Sequence, residues 1–257
     1  MPENLTGKNL ILPTDECVVL KSMSYREADR IVTVFSKNFG KKNLLARGAC
    51  KPNSKLGGCT DSLSIIEYIP KPTRTFTLIT EPRIITPLFK IKESGDSFFM
   101  ACAVCEIILR ATEFDVKMSG LYDVFKNTLI IMNSIEKSEE QPSPELLLLL
   151  KFELFFLDRV GYQINMNNCS SCGRVLSAYI YDLSSGGNVC ERCSIGRTAA
   201  VAADYEMALI KKLAAAGNVS EMLKYRESEP VLLKIQKIIK SHLKANLHVT
   251  LTSDSFF

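Results

Sequence analysis

The sequence predicts an α+β protein, with a small N-terminal β-barrel followed by an all-helical domain that carries a four-cysteine metal module. Three observations predict it. Short runs rich in β-branched and apolar residues crowd the first 85 positions. Longer segments with apolar residues three and four apart fill most of the remainder. Within that helical part stands "CSSCGRVLSAYIYDLSSGGNVCERC", residues 169–193, which holds four of the nine cysteines in two pairs.

The strand segments are "ECVVLKS", "RIVTVFS", "KNLLARG", "LSIIEYI" and "RTFTLIT". Between them "SYREAD", "KNFGK", the long "CKPNSKLGGC" and "PKP" supply the Gly, Pro, Asn and Ser of turns. Five short strands in about eighty residues suit a closed or nearly closed barrel. The texture changes at "EPRIITPLF", which puts a boundary near residue 85 and divides the chain into domains 1–85 and 86–257. Helices are expected over "DSFFMACAVCEIILRATEF", "GLYDVFKNTLIIMNSIE" and, past the polar linker "KSEEQPSP", "PELLLLLKFELFFLDRVG", where Pro144 fits a first turn. Beyond a cysteine-bearing insertion at about 166–196, "ADYEMALIKKLAAAG" and "PVLLKIQKIIKSHLKANL" restore the helical period.

Hydrophobic residues at 46% and charged residues at 23% are ordinary for a folded globular chain. The opening "MPENLTGKNLILPTDE" lacks a basic start followed by an apolar run, so no secretory signal is expected. The most apolar segment, "ELLLLLKFELFFLDRV", is interrupted by Lys151, Glu153 and Asp158 and reads as a buried helix rather than a membrane span. An odd number of cysteines in a reducing cytoplasm argues against disulfides. A net charge of +4 permits a nucleic-acid partner without requiring one.

Cys169 and Cys172, then Cys190 and Cys193 after seventeen residues, repeat the C-x2-C spacing of a structural zinc site. Two residues between ligands let both sulfurs of a turn face one ion, and "SSGGN" can reverse a hairpin between the turns. Four thiolates close the shell and leave no position for a substrate, so one Zn2+ would fold the segment and do no chemistry. The same ligands also suit an iron–sulfur cluster. Four unrelated buried cysteines, or a thioredoxin-like pair, are the competing readings, although neither pair opens a helix in a βαβ unit. Cys102 and Cys105 share the spacing within a helical run, where core packing explains them.

Arg30, Lys37, Lys41, Lys42, Arg47, Lys51 and Lys55 lie between residues 30 and 60, a window with no Asp or Glu. They straddle the second and third expected strands, a face on which small Greek-key barrels hold oligonucleotides. A merely solvated surface is the alternative. Phe35 is expected in the core, while Phe39, in the turn before Gly40, is the better stacking candidate, with Tyr25 nearby. A second stripe, Lys234, Lys237, Lys240 and Lys244, lies opposite Leu232, Ile235, Ile239 and Leu243 and reads first as a solvated helix face. His242 and His248 are expected at the surface.

"YREADRIVTVFSKNFGKKNLLARGACK", then "FELFFLDRVGYQINMNNCSSCG", "SSGGNVCERC" and the close "LTSDSFF" resemble the RecO family of bacterial recombination and repair proteins, in order along the chain. The resemblance implies an N-terminal OB-fold, a C-terminal helical domain and zinc held by Cys169, Cys172, Cys190 and Cys193. It also implies a cytoplasmic, nucleoid-associated protein that binds single- and double-stranded DNA and anneals complementary strands. With RecR, and in many bacteria RecF, such proteins help load RecA onto DNA coated with single-strand-binding protein, whose acidic, apolar C-terminal tail they dock. Arg47 and Lys51 stand in the matching "ARGACK", and Lys37, Lys41 and Lys42 flank the matching "NFG" turn. Cys50 departs from the family, which more often has a basic residue there. Strand annealing needs charge neutralisation and no bond chemistry, so a non-enzyme is expected. The rivals are a thiol oxidoreductase, a metal-dependent nuclease, or a protein-binding adaptor.

Overall fold

The computed structural model describes residues 13–136, 143–217, 221 and 224–251. Most of the "KSEEQPSP" linker and the final "TSDSFF" lie outside them. The chain forms two compact units, one reaching Pro87 and taking in Glu113–Met118, the other comprising Leu88–Thr112 and the chain from Ser119.

The first unit is a closed five-stranded barrel of order β1-β2-β3-β5-β4, built from β1 (Asp15–Tyr25), β2 (Asp29–Ser36), β3 (Gly40–Ala46), β4 (Ile65–Pro72) and β5 (Thr77–Thr86). Strands β1 and β2, β2 and β3, and β4 and β5 pair antiparallel, as does β1 where it closes onto β4, and β3 meets β5 in a short parallel contact, Leu44↔Thr77 and Leu45↔Leu78. Alternation puts Cys17, Val19, Val32, Val34, Leu44, Ala46, Ile66 and Ile79 inside. A register shift between Val19 and Lys21 marks a bulge that lets β1 bend around the barrel. The long loop expected after β3 contains a helix, α1 (Lys55–Cys59), which Ser54 caps by accepting from the Leu56 N–H; its Cys59 belongs to the barrel core. Five residues with two glycines carry too little periodicity to announce a helix.

A buried Asp15 organises a second cluster: the Ser36 hydroxyl donates to it, as do the Tyr68 hydroxyl at 3.1 Å and Asn38 Nδ2 at 2.9 Å. These bonds fix the β2–β3 turn that carries Lys37 and Phe39. Glu113–Met118 returns to the barrel, where the Asp115 N–H donates to the Lys41 carbonyl at 2.9 Å. Gly40 is required there: its φ is +71°, and a Cβ would lie 2.0 Å from the Val116 carbonyl oxygen.

The second unit contains α2 (Phe89–Glu93), α3 (Gly95–Ala111), α4 (Leu121–Ser134), α5 (Pro144–Arg159), α6 (Glu191–Ser194), α7 (Asp204–Ala215) and α8 (Glu229–Leu247). The apolar segment becomes α5, buried along nearly its whole length and packed against α3, α4, α7 and α8. No helix among the described residues is long and apolar enough to cross a membrane. Lys151 on α5 donates to the carbonyls of Leu213, Ala214 and Ala216, satisfying groups that the end of α7 leaves open. Buried Glu153 accepts from Gln236 of α8 at 3.0 Å. A small sheet, β7-β6-β8, joins this unit through β6 (Ile180–Asp182), β7 (Gly187–Val189) and β8 (Ala200–Ala202).

Candidate nucleic-acid interface and metal centre

The seven expected cations do not share one environment. Lys37, Arg47, Lys51 and Lys55 are exposed. Arg30 is instead engaged: its guanidinium donates to Asp61 at 2.8 Å, Thr60 Oγ1 at 3.2 Å and the Gly57 carbonyl at 3.2 Å, bracing α1 against β2. Lys42 pairs with Asp115 at 2.6 Å and lies 5.4 Å from the Phe39 ring centroid. Lys41 departs furthest from a surface role, being 4% exposed, with its ammonium 4.6 Å from the Phe114 ring centroid. Burial pulls its pKa down, against a smaller opposing pull from Glu113. The window free of acidic residues is therefore partly neutralised by Asp61 and Asp115, which the chain brings in from outside it. Phe35 is buried, whereas Phe39 is 36% exposed.

The loops between β1 and β2 and between β4 and β5 add residues that the 30–60 window missed. Tyr25 and Phe76 meet edge to face, ring centroids 6.1 Å apart, and the Arg26 guanidinium lies over Tyr25 at 5.2 Å. Thr73 clamps the second loop, exchanging backbone and hydroxyl bonds with Phe76, and leaves Arg74 exposed. A groove of about 420 Å³ runs here beside Lys42, Asn43, Arg74, Phe76 and Phe114. The turn after β3 is tied to the same rim, with the Gly48 N–H on Asp29 Oδ1 at 2.8 Å and the Cys50 N–H on the Ala28 carbonyl at 2.9 Å. Arg26, Arg47 and Lys51 thus occupy one margin of the barrel. In each loop, "SYREAD" and "PKPTRTF", a cation beside an aromatic was the available signal.

The two cysteine pairs converge. The Sγ atoms of Cys169, Cys172, Cys190 and Cys193 all lie within 4.8 Å of one another, with Cys172 and Cys190 3.8 Å apart. A tetrahedron with metal–sulfur bonds of about 2.3 Å has edges of about 3.8 Å, so the cluster fits a metal closely. The first knuckle is held by the Cys169 N–H on the Arg174 carbonyl and by Gly173 at φ +72°. The second knuckle leads into α6, and the β6–β7 hairpin joins them, with the Ser170 N–H donating to the Asn188 carbonyl at 2.8 Å. Strand β8, past residue 196, completes the sheet.

Burial pushes the Cys169 thiol up, but hydrogen bonds from the backbone at Cys190, Cys172 and Ser171 outweigh it and bring the pKa to about 6. Cys193 is pushed up to about 12, foremost by its sulfur contact with Cys172. The cluster accepts its first negative charge readily and resists the last, as expected of four sulfurs that a cation would neutralise together. Arg197 braces the module, donating to the Cys193 carbonyl at 2.8 Å, Ser171 Oγ at 2.7 Å and buried Asp182. Burial raises the Asp182 carboxyl, yet the Ser184 and Ser185 hydroxyls and Arg197 together hold it well below the usual carboxylate range. Cys105 is buried and Cys102 half-buried on α3, as core packing requires.

His242 is not at the surface. It is 5% exposed, with Nδ1 2.9 Å from the Gly186 carbonyl and Nε2 2.8 Å from the Tyr162 carbonyl, and it fastens the hairpin to α8. The sequence puts it on a lysine-rich helix but cannot show that the hairpin folds back over that part of α8. His248 is exposed, at the end of the helix.

The model for "Recombination protein O N terminal" matches residues 11–88, and that for "Recombination protein O C terminal" matches residues 92–255. The chain belongs to the RecO family. Among its relatives named "DNA repair protein RecO", that of Syntrophomonas wolfei is 28% identical over 197 residues, 76% of each chain. That of Acetivibrio thermocellus is 25% identical over 240 residues, 93% of each chain. A Listeria monocytogenes relative is 29% identical over 180 residues, 69% of this chain and 67% of its own. The five-stranded OB-like barrel, the helical region and the four-cysteine cluster all lie within the matched residues of this RecO chain.

Proposed function

We propose that this RecO-family protein is a non-enzymatic DNA repair mediator. It binds single- and double-stranded DNA along the barrel margin, anneals complementary strands, and works with RecR, and RecF where present, to help RecA replace single-strand-binding protein. The observation that carries this reading is the presence of exposed Arg26 and Arg74 with the Tyr25–Phe76 pair on the two loops that OB-folds use for oligonucleotides, with exposed Arg47 and Lys51 on the turn after β3 tied to the same rim. Cations there neutralise phosphates with little regard to sequence, and the rings offer faces on which bases stack. Of the expected set, exposed Lys37, Arg47, Lys51 and Lys55 would meet phosphates, and Lys42 would do so only by giving up its Asp115 partner. Arg30 and Lys41 act by holding the barrel in shape.

The metal is a single zinc ion, held by Cys169, Cys172, Cys190 and Cys193, and its role is to fold the module. A partner tail that is acidic and apolar, as in single-strand-binding protein, suits the groove of about 400 Å³ beside α5 and α7, with Leu154, Phe155, Met166 and Ile210 in its walls and Lys211 beside them. The test is fluorescence-monitored annealing of complementary strands with purified protein and no nucleotide. Annealing well above the spontaneous rate is expected. No acceleration, or a requirement for ATP, would refute the mediator reading.

A further inference from the structure

Two grooves lie along α8, one of about 320 Å³ beside Val201, Ala202 and Ile238, the other of about 480 Å³ beside Leu233 and Gln236. Leu183 and Lys237 line both, which makes them one trough. Its rim carries Lys234, Lys237, Lys240 and Lys244, spread over ten residues of helix and so over about 15 Å. The acidic side chain lining it is Glu206, 3.8 Å from Lys234. Val201 and Leu233 are 40% and 37% exposed, a share of apolar surface that a purely solvated lysine face does not need.

Strand β8 borders the trough as the outer strand of its sheet. The Leu183 N–H donates to the Ala199 carbonyl and the Ala203 N–H to the Tyr179 carbonyl, which fixes the antiparallel phase. In that phase Val201 turns its peptide groups toward β6, and the neighbouring Ala202, exposed, turns its own outward. Gln236 lines the same trough. It is 2% exposed, its Nε2 is committed to Glu153, and its Oε1 has no hydrogen-bond partner among the described residues.

We propose that this trough docks an extended, internal segment of a partner protein in which acidic and apolar residues alternate, added as a further strand on the free edge of β8. Alternate side chains of such a strand meet the apolar floor and the lysine rim. Its N–H groups can satisfy the outward carbonyl of Ala202. A phosphate backbone matches the lysines but leaves the floor and the strand edge unused, and it carries acceptors only. Charge distributed along the trough, rather than gathered at one end, fits the middle of a chain instead of its terminal carboxylate. The inference is independent of the barrel's DNA contacts.

The experiment uses the full-length protein, metal-loaded, and a fluorescein-labelled peptide of five Asp-Val repeats with both termini blocked, followed by anisotropy at low salt. The wild type should bind it. The triple variant Lys237→Glu, Lys240→Glu, Lys244→Glu should weaken binding roughly tenfold or more. Ala202→Pro, which deletes an outward N–H at an edge position where proline is tolerated, should weaken it by a similar factor. Far-UV circular dichroism and metal content should not change, and neither should the affinity for an oligothymidine. The proposal is overturned if the wild type ignores the peptide, if neither variant alters binding, if only the free-acid peptide binds, or if the lysine reversal weakens the oligonucleotide and spares the peptide.

Discussion

Lys41 and Arg47 lie on β3 and just past its end, and both belong to the same run of positive charge, yet only one of them meets solvent. Lys41 is covered and stacked on Phe114, and burial has lowered its pKa. Arg47 is exposed on the margin that the loop after β1 shares. Replacing Lys41 by Met should therefore change oligonucleotide affinity less than about twofold, while Arg47→Ala should weaken it several-fold at low salt. Parallel titrations of the two variants distinguish a phosphate contact from a packing residue, and equal losses would contradict the assignment. The sequence could mark these residues as basic but could not rank them, because Asp61, Phe114 and Asp115, which engage Arg30, Lys41 and Lys42, stand outside the window. His242 eluded the sequence reading for the same reason, since its carbonyl partners belong to Tyr162 and Gly186, far off along the chain.

At the level of elements, the five strands and the long helices were legible because burial imposes a period on each, two for the barrel and near 3.6 for α3, α4, α5, α7 and α8. Short pieces were not legible: α1 has five residues and β8 has three, too few to show any period. Helix α3 stops at Ala111, short of the expected Phe114, because Thr112 turns extended and the following residues join the barrel unit. The cysteine module was legible through ligand spacing, and its pH behaviour follows from the sulfurs. Contacts with the neighbouring sulfurs push the Cys193 thiol up while backbone hydrogen bonds bring Cys169 down, so zinc loading at pH 7 should release protons from the cluster. Apparent zinc affinity should rise with pH above neutrality and fall more steeply as pH drops below about 6, where Cys169 too is protonated. A zinc titration in weakly buffered indicator dye reads this directly, and loading without acidification would contradict it. Cys169→Ser should lower bound zinc from about one per chain toward zero and loosen the β6–β7 hairpin, as seen by amide exchange.

For the molecule as a whole, the division of labour is between a barrel whose loops present cations and aromatic rings and a helical unit that carries a four-cysteine hairpin and a lysine-rimmed trough. The proposed annealing calls for no bond making. Annealing requires only that two polyanions be brought together while their counterions leave, and for that the number of phosphates neutralised matters more than the identity of the bases. The layout along the chain follows the order of the two RecO family models, barrel first and helices second.

The most direct test of the central claim is the salt dependence of single-stranded DNA binding, measured on the wild type and on the triple variant Arg47→Gln, Lys51→Gln, Arg74→Gln. Each lost phosphate contact removes about 0.7 from the slope of log K against log salt, so the variant's line should be flatter by about 2. An unchanged slope would mean that the barrel margin does not grip the DNA.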